Sequence, residues 1–158
     1  MRIEHPIPPL YDENSRVLIL GSFPSAASRE ARFFYGHPQN RFWRVLAALY
    51  GEDAPGSVGE KRAFLLGHGI ALWDVIASCE IRGSADSSVR DARPNDLSPI
   101  LRGSRVERIF ANGRLSYTLY TRFQEKETGV PAVYLPSTSP ANAAFGLEKL
   151  VEAWKVIL

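Results

Sequence analysis

The sequence predicts an α/β fold, a three-layer α/β/α sandwich around a central, mainly parallel four-stranded sheet. Two observations predict it: four short, largely apolar runs punctuate the 158 residues, and segments with helical periodicity separate them. A run that is apolar at every position suits a strand buried on both faces, as in a parallel sheet covered by helices. Strands alternating with helices supply the connections that such a sheet needs.

The first run, Val17-Leu18-Ile19-Leu20, ends at Gly21. Beyond it, Phe42, Leu46, Leu49 and Tyr50 share one face of a helix, and Gly51 follows as its stop. Ser57 with Glu60 has the pattern of a capping box opening a second helix. The second run is Ile70-Ala71-Leu72-Trp73; the Trp73-Asp74 pair ends it, and no partner carboxylate nearby in sequence makes Asp74 a candidate base. Residues 78–95, rich in Ser, Arg, Asp and Gly, show no period and are expected to form a long surface loop. The third run covers residues 106–111 and is followed by a helical face of Leu115, Leu119 and Phe123. The fourth, Ala132-Val133-Tyr134-Leu135, precedes a last helix carrying Leu147, Leu150, Val151, Trp154 and Leu158. With no internal repeat and no interdomain linker, residues 1–158 are expected to form one domain.

Cys79 is the only cysteine, which excludes an intrachain disulfide, a cysteine-rich zinc site and a cysteine-ligated iron–sulfur cluster. A reducing, cytoplasmic location fits this best. Residues 1–10 carry Arg2, Glu4, His5 and three prolines rather than the apolar run of a signal peptide, and no later stretch approaches the length of a membrane span. The net charge of +2 is small, but the basic residues are fifteen Arg against four Lys. Arginine's planar fork suits phosphate and base edges, so the bias is compatible with DNA contact without requiring it.

In open parallel sheets, ligands bind beyond the carboxyl ends of the strands. That rule selects residues 21–28, 74–88, 112–113 and 136–142. Three of these segments carry motifs. The first strand runs into Gly21-Ser22-Phe23-Pro24-Ser25. An aromatic cluster, Phe33-Phe34-Tyr35, and then His37-Pro38-Gln39-Asn40-Arg41-Phe42-Trp43 follow. Asn112-Gly113 closes the third strand, and Leu135-Pro136-Ser137-Thr138-Ser139-Pro140-Ala141-Asn142 follows the fourth.

This order of motifs, kept over residues 17–142, resembles the uracil-DNA glycosylase superfamily. The frame is similar to the mismatch-specific uracil and thymine glycosylases. However, Phe23 stands where those enzymes have their water-positioning asparagine, and Leu135 stands where several relatives carry histidine. Gly-Ser-Phe-Pro-Ser with a downstream asparagine is closer to the hypoxanthine-DNA (deoxyinosine) glycosylase branch, whose catalytic asparagine falls at Asn40. The resemblance implies a monofunctional enzyme that flips a deaminated base, hypoxanthine or uracil, out of DNA and hydrolyses its N-glycosidic bond in base excision repair. It implies no metal and no cofactor. The implied partner is double- or single-stranded DNA containing a deaminated base, met by a monomer that is nucleoid-associated when acting. No lysine lies in the matched motifs to form a Schiff base, which favours a hydrolase over a lyase.

Glycosidic cleavage has oxocarbenium character, so it needs a positioned water, stabilisation of the departing base and a tight pocket. By family position Asn40 holds the water, Phe23, Tyr35 and Asn112 bind the base, and Ser25, Ser137, Thr138, Ser139 and Asn142 contact DNA. Structural readings stand beside these. Asn40 also fits a helix N-cap, Asn112-Gly113 a plain turn, and Tyr35 core packing. Ser139-Pro140 reads as the N-cap and first residue of the last helix, whose amides would then face phosphates. His37 reads as a turn residue, and Arg82, Arg90 and Arg93 as a solvated loop near the expected DNA side. Two rival functions remain: excision of uracil or thymine from mismatches, and a non-catalytic nucleic-acid-binding α/β module.

Overall fold

The computed structural model describes residues 2–82 and 86–158. Its elements, in chain order, are β1 (Arg2–Glu4), β2 (Val17–Gly21), α1 (Ala26–Ala31), α2 (Phe42–Tyr50), α3 (Val58–Gly67), β3 (Ile70–Asp74), β4 (Ile76–Glu80) and a 3-10 turn at Asp86–Ser88. Then come β5 (Arg90–Pro94), α4 (Ser98–Gly103), β6 (Arg108–Asn112), α5 (Arg114–Phe123), α6 (Glu125–Thr128), β7 (Ala132–Leu135), α7 (Leu147–Trp154) and a final 3-10 turn at Lys155–Ile157. Among the described residues no helix is long and apolar enough to cross a membrane.

The four apolar runs pair as one parallel sheet in the order β3-β2-β6-β7. All five residues of β2 are buried, and they divide by alternation: Val17 and Ile19 join one core, Leu18 and Leu20 the other. On the first side Phe42, Leu46, Phe64, Leu150 and Trp154 bring α2, α3 and α7 against the sheet. On the other, Ile76, Ile100, Leu119 and Tyr120 bring in β4, α4 and α5. The layered sandwich follows directly from strands that are apolar on both faces.

The expected caps form. Gly51 closes α2 in the left-handed region at φ 63°, and Ser57 and Glu60 make both bonds of the capping box at the head of α3.

Four expectations need correction. Residues 78–95 are not a loop. β4 and β5 are antiparallel partners there, and β1 pairs with β4 to complete a second sheet of order β1-β4-β5; residues 83–85 of that stretch lie outside the described residues. β6 begins at Arg108, leaving Val106 outside the third strand. Leu158 lies beyond α7, which ends at Trp154. Finally, Ser139 does not cap the last helix, because α7 starts at Leu147 behind Gly146. The intervening chain is held open by Arg41. Its side chain donates to the carbonyls of Thr138, Ser139, Asn142 and Phe145, so those carbonyls turn toward one guanidinium rather than along a helix axis.

Candidate active site

A cleft of about 830 Å³ opens at the carboxyl ends of the parallel strands. Phe23, Ser25, Tyr35, Asn40, Asn112, Ser137, Thr138, Ser139 and Asn142 all line it, so every site residue expected from the sequence reaches one cavity. Asp74 and Asp86 line it too.

The floor is set by the ends of β3, β2 and β6, where Asp74 pairs with Gly21 and Asn112 follows Ala111, the partner of Leu20. Gly21 has to be glycine here. A Cβ on it would penetrate the Asp74 carboxylate and come within 3.1 Å of the Tyr35 hydroxyl. Tyr35 reaches this point from a strained, left-handed backbone at φ 51°. One face of its ring stacks on Phe42, with centroids 4.0 Å apart and planes at 13°, and its hydroxyl accepts from Asn112 Nδ2 at 3.2 Å. Burial pushes the Tyr35 hydroxyl far above the ordinary tyrosine range and the charge on Asp74 adds to this, against the opposing bond from Asn112. It is therefore a neutral hydroxyl at any physiological pH. Tyr35 thus packs on the core through its ring and lines the cleft as well.

Asn112 is buried, and most of its hydrogen-bonding capacity is spent. One Nδ2 proton goes to Tyr35 and the other to Thr138 Oγ1 at 3.1 Å, while Oδ1 accepts from the Thr138 amide at 3.1 Å. One acceptor lone pair remains. Thr138 is itself fully buried by this clasp, so it serves the loop's fold and is not placed to meet a phosphate. Asn112-Gly113 is more than a plain turn: Gly113, at φ 97°, starts α5 with Ser137 Cβ packed 3.3 Å from where its own Cβ would stand.

Asn40 keeps its capping function in a modified form. Arg41 is the N-cap of α2, and Asn40 Oδ1 accepts from the Phe42 amide at 2.9 Å. That bond fixes the carboxamide without exhausting Oδ1, which retains a second lone pair, and Asn40 lines the cleft. Phe23 is buried with its ring edge-on to His5 at 5.8 Å and the Arg29 guanidinium 5.7 Å from its centroid. Ser25 caps the short helix α1 by accepting from the Ser28 amide, and His37 accepts from the Gln39 amide through Nδ1, the turn role expected of it. Ser137 and Ser139 each accept from an amide two residues on, and Asn142 Nδ2 donates to Ser137 O. Arg90 and Arg93 lie on β5 rather than a loop, and Arg82 precedes the undescribed residues.

Sequence reasoning read Asp74 as a strand end without a partner carboxylate, and the structure agrees with the first part only. Asp74 does end a strand, but its side chain is only 6% exposed, it lines the cleft, and a second carboxyl, Asp86, is near enough for the two to interact. Desolvation pushes the Asp86 carboxyl above the usual carboxylate range despite a 3.1 Å bond from Ser22, and the Asp74 charge contributes to the rise. His5 holds Asp74 from behind, with Nε2 2.8 Å from Oδ2. Only the strand-end position of Asp74 could have flagged it; nothing near His5 in sequence does so. Among the described residues no group of three His, Cys, Asp or Glu side chains is placed to hold a metal ion.

Comparison with known proteins agrees with this geometry. Residues 8–158 match the family model described as the uracil DNA glycosylase superfamily. The chain is 36% identical over 159 residues to a hypoxanthine DNA glycosylase of Methanosarcina acetivorans, covering 98% of each. It is 36% identical over 140 residues to one of Methanosarcina barkeri, covering 85% of each. The solution structure of a candidate uracil DNA glycosylase from Methanosarcina acetivorans superposes with a TM-score of 0.81 at 31% identity over 99% of both chains. With its strand order, its strand-end cleft and its full-length relatives in agreement, the chain belongs to the uracil DNA glycosylase superfamily.

Proposed function

We propose that this protein is a monofunctional DNA glycosylase that extrudes a deaminated base, hypoxanthine before uracil, and hydrolyses its N-glycosidic bond. The observation that carries the reading is Asn40, a polar group on the cleft wall whose carboxamide is pinned by the Phe42 amide. Fixed in this way, Oδ1 orients a water for attack on C1′ without reorganising during the reaction. The C1′–N bond breaks as the water oxygen bonds C1′, the base leaves with its bonding pair and takes up a proton, and an abasic site remains. Phe23, which lines the cleft, is the aromatic surface on which the extruded base would stack, a contact worth on the order of 1–3 kcal/mol, and Tyr35 presents its hydroxyl end to the same cleft. Ser25, Ser137, Ser139 and Asn142, all part-exposed at the cleft rim, are the phosphate-facing candidates. The loop offers the side chains of Ser137, Ser139 and Asn142 and its own backbone rather than helix amides. The substrate is double- or single-stranded DNA, met by a monomer.

The relatives named for hypoxanthine favour that base over the mismatch-specific reading. The test is release of free base from oligonucleotides carrying deoxyinosine, deoxyuridine or mispaired thymine, with chelator present. Hypoxanthine release that leaves an abasic site is the expected result. A requirement for added zinc or magnesium overturns the metal-free reading, and tight DNA binding with no base released returns the protein to a binding module.

A further inference from the structure

The hydrogen-bonding capacity left unspent on the cleft floor has a definite pattern. His5 Nδ1 accepts from the Ile7 amide at 3.1 Å, so in this arrangement it carries no proton, and Nε2 is the protonated nitrogen that donates to Asp74 Oδ2. Oδ1, over Gly21, has no hydrogen-bond partner among the described residues and is a pure acceptor. The Tyr35 hydroxyl, at the same spot, has its oxygen occupied by Asn112 Nδ2, and its proton has no acceptor among the described residues. Asn112 has no proton left to give. The floor therefore presents one strong acceptor and one donor side by side, while Asn112 keeps only a single acceptor lone pair.

We infer that Asp74, set by His5, is the specificity-determining residue that reads the lactam edge of the deaminated base, with the Tyr35 hydroxyl as its paired donor. This rests on the glycosylase reading above. Deamination turns adenine's edge, a bare N1 beside an amino group, into N1–H beside a carbonyl. The carboxylate accepts N1–H and the hydroxyl donates to the carbonyl. Adenine would set its N1 lone pair against the carboxylate and its amino group against the hydroxyl proton, leaving buried polar groups unpaired, which is how a hydrogen-bonding site rejects a near-isostere strongly. The N-terminal segment is part of the device. His5 N donates to Ala77 O, Trp73 Nε1 donates to Ile7 O, and Leu10 bridges to Leu72, so the segment that carries His5 is fastened to β3 and β4 on both sides of Asp74.

The test is equilibrium binding to duplexes whose central nucleotide is a non-hydrolysable 2′-fluoro analogue bearing hypoxanthine, adenine or unsubstituted purine, which lacks both N1–H and the carbonyl. The parent protein should prefer hypoxanthine to either by at least about tenfold, about 1.4 kcal/mol. Asp74→Asn can keep the His5 bond through its carbonyl and put an N–H donor in place of Oδ1. It should lose that preference and shift toward adenine and purine, with the melting temperature and undamaged-DNA affinity near the parent's. A merely structural role would weaken all three duplexes alike. If Asp74→Asn keeps the parent's preference, or if it loses cleavage alone with binding preferences intact, Asp74 does not read the base. Should that variant fail to fold, the parent's own comparison decides: equal affinity for hypoxanthine and purine removes the lactam contact. Failure of the glycosylase reading is separate, since it would appear as no base released from a cleavable deoxyinosine duplex by the parent.

Discussion

The parallel sheet opens a cleft at each end, about 830 Å³ at the carboxyl ends of the strands and about 790 Å³ at the amino ends, and the two could hardly differ more in chemistry. The amino end is lined by Arg16, His68, Arg105, Glu107 and Arg108. Much of that charge is used to close the protein on itself. His68 Nε2 lies 2.7 Å from Glu52, and Arg108 donates to the carbonyls of Val156, Ile157 and Leu158 at the end of the chain while lying over the Phe110 ring. The carboxyl end holds a buried amide, a buried carboxylate, a neutral tyrosine hydroxyl and the start of α5, with donor and acceptor capacity left over. Because every strand points the same way, one end collects helix starts and loops that present N–H groups. The other collects carbonyls that cations satisfy. A cleft of similar size is thus a candidate for chemistry at one end and a seal at the other.

Substitutions at the two ends should separate these roles. The largest effect is expected of Asn40→Ser, which can still accept from the Phe42 amide yet is too short to hold the same water. Single-turnover base release should fall by about two orders of magnitude, as for loss of one preorganised polar group, with the melting temperature unchanged. Near-parental cleavage would return Asn40 to a capping role alone.

Next comes one substitution made at both ends. Gly21→Ala drives a methyl into Asp74 and the Tyr35 hydroxyl and should cost about 1–3 kcal/mol in denaturant unfolding, with base release falling as the floor distorts. Gly67→Ala, at the end of α3 on the amino-end cleft, meets nothing within 4 Å. It should be neutral or stabilising by up to about 1 kcal/mol. Equal costs at the two positions would break the comparison.

The smallest effect is expected of Arg108→Met. It keeps the apolar stem over Phe110 but strips the chain-end carbonyls of their donor, at about 0.5–1.5 kcal/mol. Base release at a temperature well below the transition should be unchanged, and a matching loss of activity would show that the two ends are coupled.

Some of the architecture was legible because it is local. β2, β3 and β7 each announce themselves as apolar runs and β6 as a shorter one, Ile109-Phe110-Ala111, and Gly51, Ser57 and Glu60 mark helix ends within four residues of what they cap. The second sheet was not legible. β5 reads Arg-Asp-Ala-Arg-Pro, largely exposed and without alternation, and it is a strand only because β4 pairs with it. Ser139-Pro140 has the composition of a helix start, but Arg41, about a hundred residues away, takes the surrounding carbonyls.

By itself the sequence determined the layered α/β class and the polarity of its sheet, because periodicity is a property of neighbours along the chain, and its motif order, through the family it resembles, marked Phe23, Tyr35, Asn40 and Asn112 as cleft residues. The tertiary structure alone decided which of their atoms remain free. His5 and Asp74 lie 69 positions apart, Tyr35 and Asn112 lie 77 apart, and Asn112 and Thr138 lie 26 apart. Whether an amide can still donate, or a carboxylate still accept, depends on what the fold has already bonded to it. That is settled only when distant strand ends meet over a glycine too small to keep them apart.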